Sequence, residues 1–345
     1  MQINESLAYP DLSLGLITSQ HRNIYKTITE AGEKLAKVSG KFDYDALSKE
    51  AYPVVGDWVL VNDTGSDANE IIIQRVIERN TSLKRKASGS GQEVQIMAAN
   101  VDIGFICTSL NRDFNLRRVE RYLTVVWDSG ASPVIILTKS DLCEDVEVKF
   151  REIEQIAPGV DIIVTTKDDL TTIEKLKTYL ASGVIAVFLG SSGVGKSTLI
   201  NKLAEKEILR TSETRQDGKG RHTTTHRELI QLESGGIVID TPGLREIQID
   251  SADISKTYLD IDELAKACQF VDCQHASEPG CAVRAAIENG DITVGRLESY
   301  NKQLKEASYQ SLDARSIEDK KMTAMFGGKN KIKKMKNEIK QRKGY

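Results

Sequence analysis

Residues 190–198, GSSGVGKST, constrain the fold more than any other stretch because they match the pattern G-x-x-x-x-G-K-[ST] in a suitable setting. The apolar run GVIAVFLG leads into them, and the helical pattern STLINKLAEKE leads out. Glycines let backbone N–H groups turn toward phosphate oxygens, and the helix N-terminus adds a favourable dipole. An ordinary glycine turn before a helix is the alternative. Strand, loop and helix together predict a phosphate-binding loop.

Two side chains of this loop have distinct expected roles. Lys196 would reach the β- and γ-phosphates, and the Ser197 hydroxyl would take one position on Mg²⁺. The residues expected to contact the nucleotide here are Gly190, Ser191, Ser192, Gly193, Val194, Gly195, Lys196, Ser197 and Thr198.

A second phosphate-related motif, DTPG at 240–243, follows the apolar run GIVID. An acid at the end of a neighbouring strand suits a Walker B position, so Asp240 is expected to hold Mg²⁺ through water. The N–H group of Gly243 would sense the γ-phosphate. A plain turn is the alternative, but the position about forty residues after the phosphate loop favours the nucleotide interpretation.

Between these motifs lies RQDGKGRHTTTHREL, a stretch rich in glycine, charge and threonine. Such a segment can become ordered when a threonine meets Mg²⁺ and the γ-phosphate. Thr224 and Thr225 are both candidates, and the sequence does not choose between them. His222 or His226, beside them, could provide a polar group near the γ-phosphate once the segment closes, although each is expected more as an exposed switch or RNA-contact residue than as a catalyst.

The tetrapeptide TKSD at 138–141 closes the apolar run SPVIILTKSD. The Asp141 carboxylate could accept hydrogen bonds from the N1–H and N2–H groups of guanine, which adenine does not offer in that arrangement. An unpaired buried carboxylate costs about 1–3 kcal/mol or more, which would supply the discrimination. Lys139 would lie along the base face, beside Thr138 and Ser140. Thr165, Thr166 and Lys167, after the next strand, would add a backbone contact to guanine.

These motifs run in an unusual order, because the base motif precedes the phosphate loop by about fifty residues. Domain termini often lie close together, so a chain can be joined there and opened elsewhere without losing its core. The alternative is that TKSD is accidental and the domain is a P-loop kinase or ATPase.

Four metal-ligating side chains, Cys268, Cys273, His275 and Cys281, form the pattern C-x4-C-x-H-x5-C. Three thiolates and one imidazole predict a closed tetrahedral Zn²⁺ site with a structural role. Their surroundings have too few apolar residues to pack as a core, so a metal would supply the missing stabilisation. Free buried cysteines are the alternative, and that is the interpretation given to Cys107 and Cys143.

Three regions differ in pattern. Residues 1–97 contain short β-type runs that suggest a small barrel or sandwich. Residues 98–247 alternate strands and helices, as in a parallel sheet covered on both faces. Residues 248–345 are helical, contain the cysteine cluster and end in 26 residues with ten Lys or Arg and one acid. Such a tail attracts polyanions.

No run approaches the roughly eighteen apolar residues of a membrane helix, and the N-terminus lacks a signal-peptide pattern. We therefore expect a monomeric cytoplasmic protein with no membrane partner. The basic stretch LKRKASG adds Lys84, Arg85 and Lys86 as candidate RNA contacts, although a solvated turn would look the same.

The order TKSD, GSSGVGKST, GRHTTT and DTPG, with the cysteine cluster behind it, resembles the ribosome small subunit-dependent GTPase A family. The resemblance covers nearly the whole chain, and PVVGDWV at 53–59 resembles that family's barrel. It implies a multidomain α/β protein with an N-terminal OB-fold β-barrel, a circularly permuted P-loop GTPase domain and a C-terminal helical zinc-binding domain.

The resemblance also implies GTP hydrolysis to GDP that is stimulated by the small ribosomal subunit. The protein would act on 16S rRNA as a late assembly factor, through nucleotide-dependent conformational change. Leu244 follows DTPG where Ras-type enzymes carry a water-positioning glutamine, which fits slow unassisted turnover. A different class, an RNA-binding scaffold that holds nucleotide without turnover, stays open.

Overall fold

A computed structural model describes residues 8–62, 70–86, 94–209, 227–240 and 254–308. Its first unit is a closed barrel of five strands, which pair in the order β1-β2-β3-β5-β4 with β4 returning to β1. The strands are β1 (Ser13–His21), β2 (Ile24–Thr29), β3 (Gly32–Val38), β4 (Trp58–Asn62) and β5 (Glu70–Val76). Successive side chains of β2 point alternately into the barrel and to the solvent, so Tyr25 is buried and Ile24 is exposed. The closed barrel confirms the predicted OB-like architecture.

A short helix, α1 (Gly40–Asp45), lies between β3 and β4 in the chain. It begins where the Ser39 hydroxyl accepts a hydrogen bond from the N–H group of Phe42. The barrel core contains Ile17, Tyr25, Val59 and Ile73, all of them almost fully buried.

A two-stranded antiparallel ribbon follows the barrel: β6 (Ser82–Lys86) and β7 (Val94–Ala99). Leu83 and Met97 belong to the same buried cluster as Tyr122 and Leu123, so the ribbon shares a core with the central domain. The predicted boundaries at residues 97 and 247 stay predictions: residue 97 lies within β7, and residue 247 lies outside the described residues.

The central domain contains five parallel strands in the order β10-β9-β8-β11-β13. They are β8 (Ile103–Ser109), β9 (Ser132–Thr138), β10 (Asp161–Val164), β11 (Ile185–Leu189) and β13 (Ile237–Asp240), and β12 (Arg227–Gln231) pairs antiparallel with β13. Nearly continuous apolar strands indicate burial on both faces. Consistent with that, Phe105 and Ile106 belong to different buried clusters.

Four helices of the central domain cover this sheet: α2 (Leu116–Ser129), α3 (Val146–Ile156), α4 (Leu170–Tyr179) and α5 (Lys196–Leu203). Helices α2 and α3 pack in one buried cluster, through Val126 and Ile153. Helices α4 and α5 pack in the other, through Leu176 and Leu203. The alternation of strands and helices predicted this arrangement.

The C-terminal region is helical, with α6 (Leu259–Lys266), α7 (Ala282–Asn289) and α8 (Val294–Ser308). Its core contains Ile254, Tyr258, Ile261 and Val283. None of the helices in the described ranges is long and apolar enough to span a bilayer.

The barrel and the central sheet are continuous. Strand β1 pairs antiparallel with β12 at two positions, Ser19 with Glu228 and Gln20 with Arg227. Among the described residues, eleven strands therefore form one sheet, closed into a barrel at one end and open at the other.

Candidate functional site

The candidate nucleotide site lies at one edge of the central sheet. Because parallel strands end at the same edge, the residues after β9, β10, β11 and β13 are brought together there. These residues are TKSD after β9, the 165–167 stretch after β10, the phosphate loop after β11 and Asp240 at the end of β13. Motifs up to about one hundred residues apart in the chain thus share one edge.

The phosphate loop turns sharply at its glycines, which have positive φ: 144° at Gly190, 77° at Gly193 and 107° at Gly195. A Cβ atom at Gly190 would lie 2.4 Å from the carbonyl oxygen of Cys107, so only glycine fits there. Helix α5 begins directly after Gly195. Its first N–H groups are oriented to bind an anion.

Lys196, the first residue of α5, folds back over the loop. Its Nζ donates hydrogen bonds to the carbonyl oxygens of Gly190 and Ser191, each at 2.7 Å. The ammonium group therefore lies above the loop, where phosphate oxygens would meet it. Ser197 and Thr198 occupy the first turn of α5 and are half-buried, whereas Ser192 is exposed.

Asp240, the last residue of β13, is directly opposite Glu228 of β12. Burial raises the pKa of the Asp240 carboxyl, the charge of Lys196 opposes that rise, and Glu228 adds to it. Asp240 lies at the same edge of the sheet as the phosphate loop, and the charge of Lys196 favours its ionised form. Together with the Ser197 hydroxyl it offers the oxygen ligands that Mg²⁺ prefers.

Thr138 connects the base motif to the phosphate loop. It is buried, and its hydroxyl donates a 2.6 Å hydrogen bond to the carbonyl oxygen of Val194. The next residue, Lys139, has φ of 58°, which turns the chain out of the strand. The sequence placed Thr138 in the base motif; in the structure its hydroxyl is used within the protein.

The stretch after β10 joins the same group of loops. The N–H and the hydroxyl of Ser140 both donate to the carbonyl oxygen of Thr165, each at 3.2 Å. Lys202 of α5 donates to the carbonyl oxygen of Lys167. Thr166 lies between them and Asp141 is exposed at this edge. The base motif is thus hydrogen-bonded to both the phosphate loop and the 165–167 stretch, and α5, which follows the phosphate loop, is hydrogen-bonded to the 165–167 stretch.

Thr224, Thr225, His222 and Gly243, together with His226 and Leu244, lie outside the described residues. Their expected roles stay predictions.

Asp113 is a residue of this edge that sequence reasoning missed. It follows β8, and its carboxylate accepts a 2.5 Å hydrogen bond from the Ser191 hydroxyl. The signal was present in the sequence, because β8 ends at the same edge as the other strands and the turn NRDFN offers a polar side chain there.

The candidate metal centre lies in the C-terminal region. The ligand atoms of Cys268, Cys273, His275 and Cys281 all lie within 4.8 Å of one another. The Sγ atoms of Cys268 and Cys281 are 3.9 Å apart, and His275 Nδ1 lies 3.7 Å and 3.4 Å from them. A tetrahedral Zn²⁺ with Zn–S bonds near 2.3 Å would separate its sulfur ligands by about 3.8 Å. The donor set and its spacing fit Zn²⁺.

Glu278 stabilises the loop that carries these ligands. Its carboxylate accepts hydrogen bonds from the N–H groups of Gln274 (3.1 Å), Ala276 (2.9 Å) and Ser277 (2.9 Å). Backbone hydrogen bonds lower the pKa of this carboxyl to about 2. The Sγ atom of Cys281 accepts from the N–H of Arg284, so this ligand also caps α7.

A family model of RsgA GTPases matches residues 76–250, which is half of the chain. This chain belongs to the RsgA GTPase family. The match includes the base motif, the phosphate loop and Asp240, so the family assignment and GTP hydrolysis agree with the sequence prediction.

Curated relatives agree over most of the chain. The small ribosomal subunit biogenesis GTPase RsgA 2 of Lactiplantibacillus plantarum is 50% identical, with 94% of this chain and 91% of the relative covered. The small ribosomal subunit biogenesis GTPase RsgA 1 of Oceanobacillus iheyensis is 43% identical, with 85% and 84% covered.

Solved structures show the same architecture. YjeQ from Thermotoga maritima aligns with a TM-score of 0.62 at 29% identity, over 86% of this chain and 98% of that protein. YloQ, described as a circularly permuted GTPase, aligns with a TM-score of 0.62 at 26% identity, over 86% and 95%. The permuted order inferred from the sequence is thereby confirmed, and TKSD is part of a GTPase.

Proposed function

We propose that this GTPase assists the biogenesis of the small ribosomal subunit. The curated relatives carry that role in their names and match nearly the whole chain. The observation that carries the proposal is the hydrogen-bonded edge where the base motif, the 165–167 stretch and the phosphate loop meet. With a nucleotide bound across that edge, the change from GTP to GDP could alter the positions of the barrel and of the C-terminal region.

In this proposal different residues of the sheet edge bind the phosphates and the metal ion. Backbone N–H groups of 190–198 cradle the phosphates, and Lys196 neutralises charge that develops on the β- and γ-phosphates. Ser197 would hold Mg²⁺ through its hydroxyl, and Asp240 would hold it through water. Mg²⁺ would supply electrostatic stabilisation of the transferring phosphoryl group, with water as the nucleophile.

The base is held by the loops after β9 and β10. Asp141 accepts the guanine N1–H and N2–H groups, and Lys139 lies along the base face. Ser140 orders this turn through Thr165. The backbone of Thr165, Thr166 and Lys167 would add a contact to the base. Thr138 acts indirectly, since its hydroxyl is bonded to Val194.

Nucleotide state reaches the neighbouring regions through two connections. Thr224 or Thr225 would contact Mg²⁺ and the γ-phosphate, and the N–H group of Gly243 would contact the same phosphate. His222 would lie beside these threonines. The threonine segment leads directly into β12, which pairs with β1 of the barrel. The segment after Gly243 leads into the C-terminal region, so a change in either segment would move an RNA-binding surface.

The RNA partner is 16S rRNA of the small subunit, bound by the barrel, by Lys84, Arg85 and Lys86, and by the basic C-terminal tail. Lys84 lies 3.7 Å from Glu50, and an RNA phosphate would compete with that exposed pair. The cluster of Cys268, Cys273, His275 and Cys281 binds one structural Zn²⁺. The protein works as a cytoplasmic monomer that cycles between GTP and GDP.

GTP turnover titrated with purified small and large ribosomal subunits tests the proposal. Small subunits should stimulate hydrolysis strongly and large subunits should not. Equal turnover with and without small subunits would instead favour an RNA-binding scaffold.

Two variants test the phosphate site. Lys196→Ala and Ser197→Ala should each abolish stimulated turnover, and retained turnover in both would overturn the assigned phosphate site.

Nucleotide competition tests the base site. The wild type should prefer GTP over ATP, and Asp141→Asn should relax that preference.

Metal analysis tests the zinc site. One Zn²⁺ per chain is expected in the wild type, and it should be lost in Cys268→Ser and kept in Cys143→Ser. Equal metal content in the two variants would refute it.

A further inference from the structure

Asp113 lies in the turn between β8 and α2, at the same sheet edge as the phosphate loop. The turn is well fixed: the side-chain oxygen of Asn111 accepts hydrogen bonds from the N–H of Asp113 (3.0 Å) and from the Ser109 hydroxyl (2.9 Å). Asn115 then caps α2 by accepting the N–H of Arg118. The backbone that carries Asp113 is therefore held on both sides.

The Asp113 carboxylate has two partners from different parts of the chain. Its Oδ2 accepts the Ser191 hydroxyl at 2.5 Å and an Arg118 guanidinium N–H at 2.8 Å. These two hydrogen bonds, with a smaller contribution from Lys139, lower the pKa of Asp113. The group is thus an ionised acceptor at neutral pH, and its charge is balanced by Arg118.

Ser191 is held on two sides by these contacts. Asp113 binds its hydroxyl, and the ammonium group of Lys196 binds its carbonyl oxygen at 2.7 Å. The other half of the loop is held in a similar way, because Thr138 binds the carbonyl oxygen of Val194. Each half of the loop is therefore tied by a side chain to a neighbouring strand or its following turn.

We propose that Asp113 is a positioning residue for GTP hydrolysis, which fixes the first half of the phosphate loop through the Ser191 hydroxyl. It does so without touching the nucleotide. The inference rests on the proposed phosphate site. A loop held in its binding conformation loses less conformational entropy when phosphate binds, so the contact improves affinity for GDP and GTP alike.

Two substitutions at position 113 distinguish a role of the hydrogen bond to Ser191 from a role of the negative charge. Asparagine at position 113 keeps an oxygen that can accept the Ser191 hydroxyl, whereas alanine keeps neither the oxygen nor the charge. If Asp113 acted only by its charge near the phosphates, the two variants would behave alike. If it acts by position, asparagine restores most of the function.

The test uses the full chain and measures the dissociation constants of GDP and GTP, together with kcat and KM for hydrolysis. Asp113→Ala and Ser191→Ala should each weaken binding of both nucleotides about tenfold, the range for a hydrogen bond to a charged group. KM should rise accordingly while kcat changes less than about threefold, because the contact acts equally in ground and transition states. Asp113→Asn should recover affinity to within about threefold of the wild type.

A double variant, Asp113→Ala with Ser191→Ala, decides whether the two residues act as a pair. It should bind no more weakly than either single variant, since both remove the same contact. Losses that multiply would overturn the proposal, and so would Asp113→Asn binding as weakly as Asp113→Ala. If Asp113→Ala does not fold, Ser191→Ala alone must still show the tenfold loss.

Two controls distinguish the possible failures. Asp128→Ala removes an exposed carboxylate at the other end of α2 and should leave binding unchanged. Lys196→Ala probes the phosphate site itself. If Lys196→Ala is inactive while Ser191→Ala and Asp113→Ala bind as the wild type does, only the inference about Asp113 fails; if Lys196→Ala is also normal, the phosphate site was misassigned.

Discussion

The central domain joins its two neighbours in different ways. It meets the barrel through backbone pairing, where β12 lies beside β1 and Gly56 packs against the carbonyl of Ala99. It meets the C-terminal region through buried side chains on α2 and α8. The first junction should be disturbed by adding a side chain and the second by removing one.

The C-terminal junction centres on Arg296 of α8, which is only 4% exposed. Its guanidinium binds Glu120 of α2 at 3.0 Å, both carboxylate oxygens of Asp260 at 2.6 Å and 2.7 Å, and the carbonyl of Thr257. Glu120 is fully buried and also pairs with Arg117. Buried charges are tolerated only when paired, so this network fixes one relative position of the two helices.

The barrel junction contains few such side-chain contacts in the described part of the chain. Gly56 has φ of 91°, and its N–H donates to the carbonyl of Ile17. The side chain of Asn100 donates to the carbonyl of Gly56 at 2.9 Å. Backbone groups accept or donate these hydrogen bonds, while Val55 and Val54 pack into buried clusters with residues of the central domain and the ribbon.

The largest effect is expected for Arg296→Ala, which leaves Glu120 and Asp260 without their buried partner. It should lower the free energy of unfolding by about 3–5 kcal/mol. The matched control is Arg121→Ala, which breaks a partly exposed pair with Glu306 on the same two helices and should cost about 1 kcal/mol or less. Chemical denaturation measures both, and equal losses would contradict the difference in burial.

A smaller effect is expected at the barrel junction for Gly56→Ala. A Cβ there would lie 2.2 Å from the carbonyl oxygen of Ala99, in addition to the strain of a positive φ. The free energy of unfolding should fall by about 2–3 kcal/mol. Gly32→Ala is the control, because φ is 106° but nothing lies within 4 Å, so it should cost only about 1 kcal/mol. A Gly56→Ala variant no less stable than Gly32→Ala would show that the junction can move apart.

An intermediate effect is expected for one of two buried hydroxyls on α2. The Thr124 hydroxyl faces the C-terminal region, near Thr257 Oγ1 (3.0 Å) and Gln303 Oε1 (2.9 Å). The Tyr122 hydroxyl is buried in the central core and has no hydrogen-bond partner among the described residues. Thr124→Val should destabilise the protein by about 1–2 kcal/mol, whereas Tyr122→Phe should be neutral or stabilise it by up to about 1 kcal/mol. Thermal unfolding of the two variants checks this, and a loss in Tyr122→Phe would mean that its hydroxyl is satisfied.

The smallest effect is expected for Ser19→Ala in β1. Ser19 pairs with Glu228 through the backbone, and its side chain is partly exposed. Stability should change by less than about 0.5 kcal/mol. A loss above 1 kcal/mol in the same denaturation experiment would show that the Ser19 side chain contributes to this junction.

The nucleotide motifs and the cysteine cluster could be predicted because each is a local pattern whose chemistry depends on spacing. Residues 190–198 specify their turn through glycines, and the four side chains of the candidate metal centre lie within fourteen residues. Strand and helix periodicity then indicated a parallel sheet, and the unusual motif order predicted the permutation.

The loops, the cysteine–histidine cluster and the class of each region thus follow from local sequence patterns. Which distant groups meet depends on the three-dimensional fold: Asp113 with Ser191, Thr138 with the carbonyl oxygen of Val194, and Glu120 with Arg296, pairs that are separated by 78, 56 and 176 positions. The physical reason is that a short polar side chain can bond many partners equally well. Strand order and helix docking select the one within about 3 Å, and no local pattern records that selection.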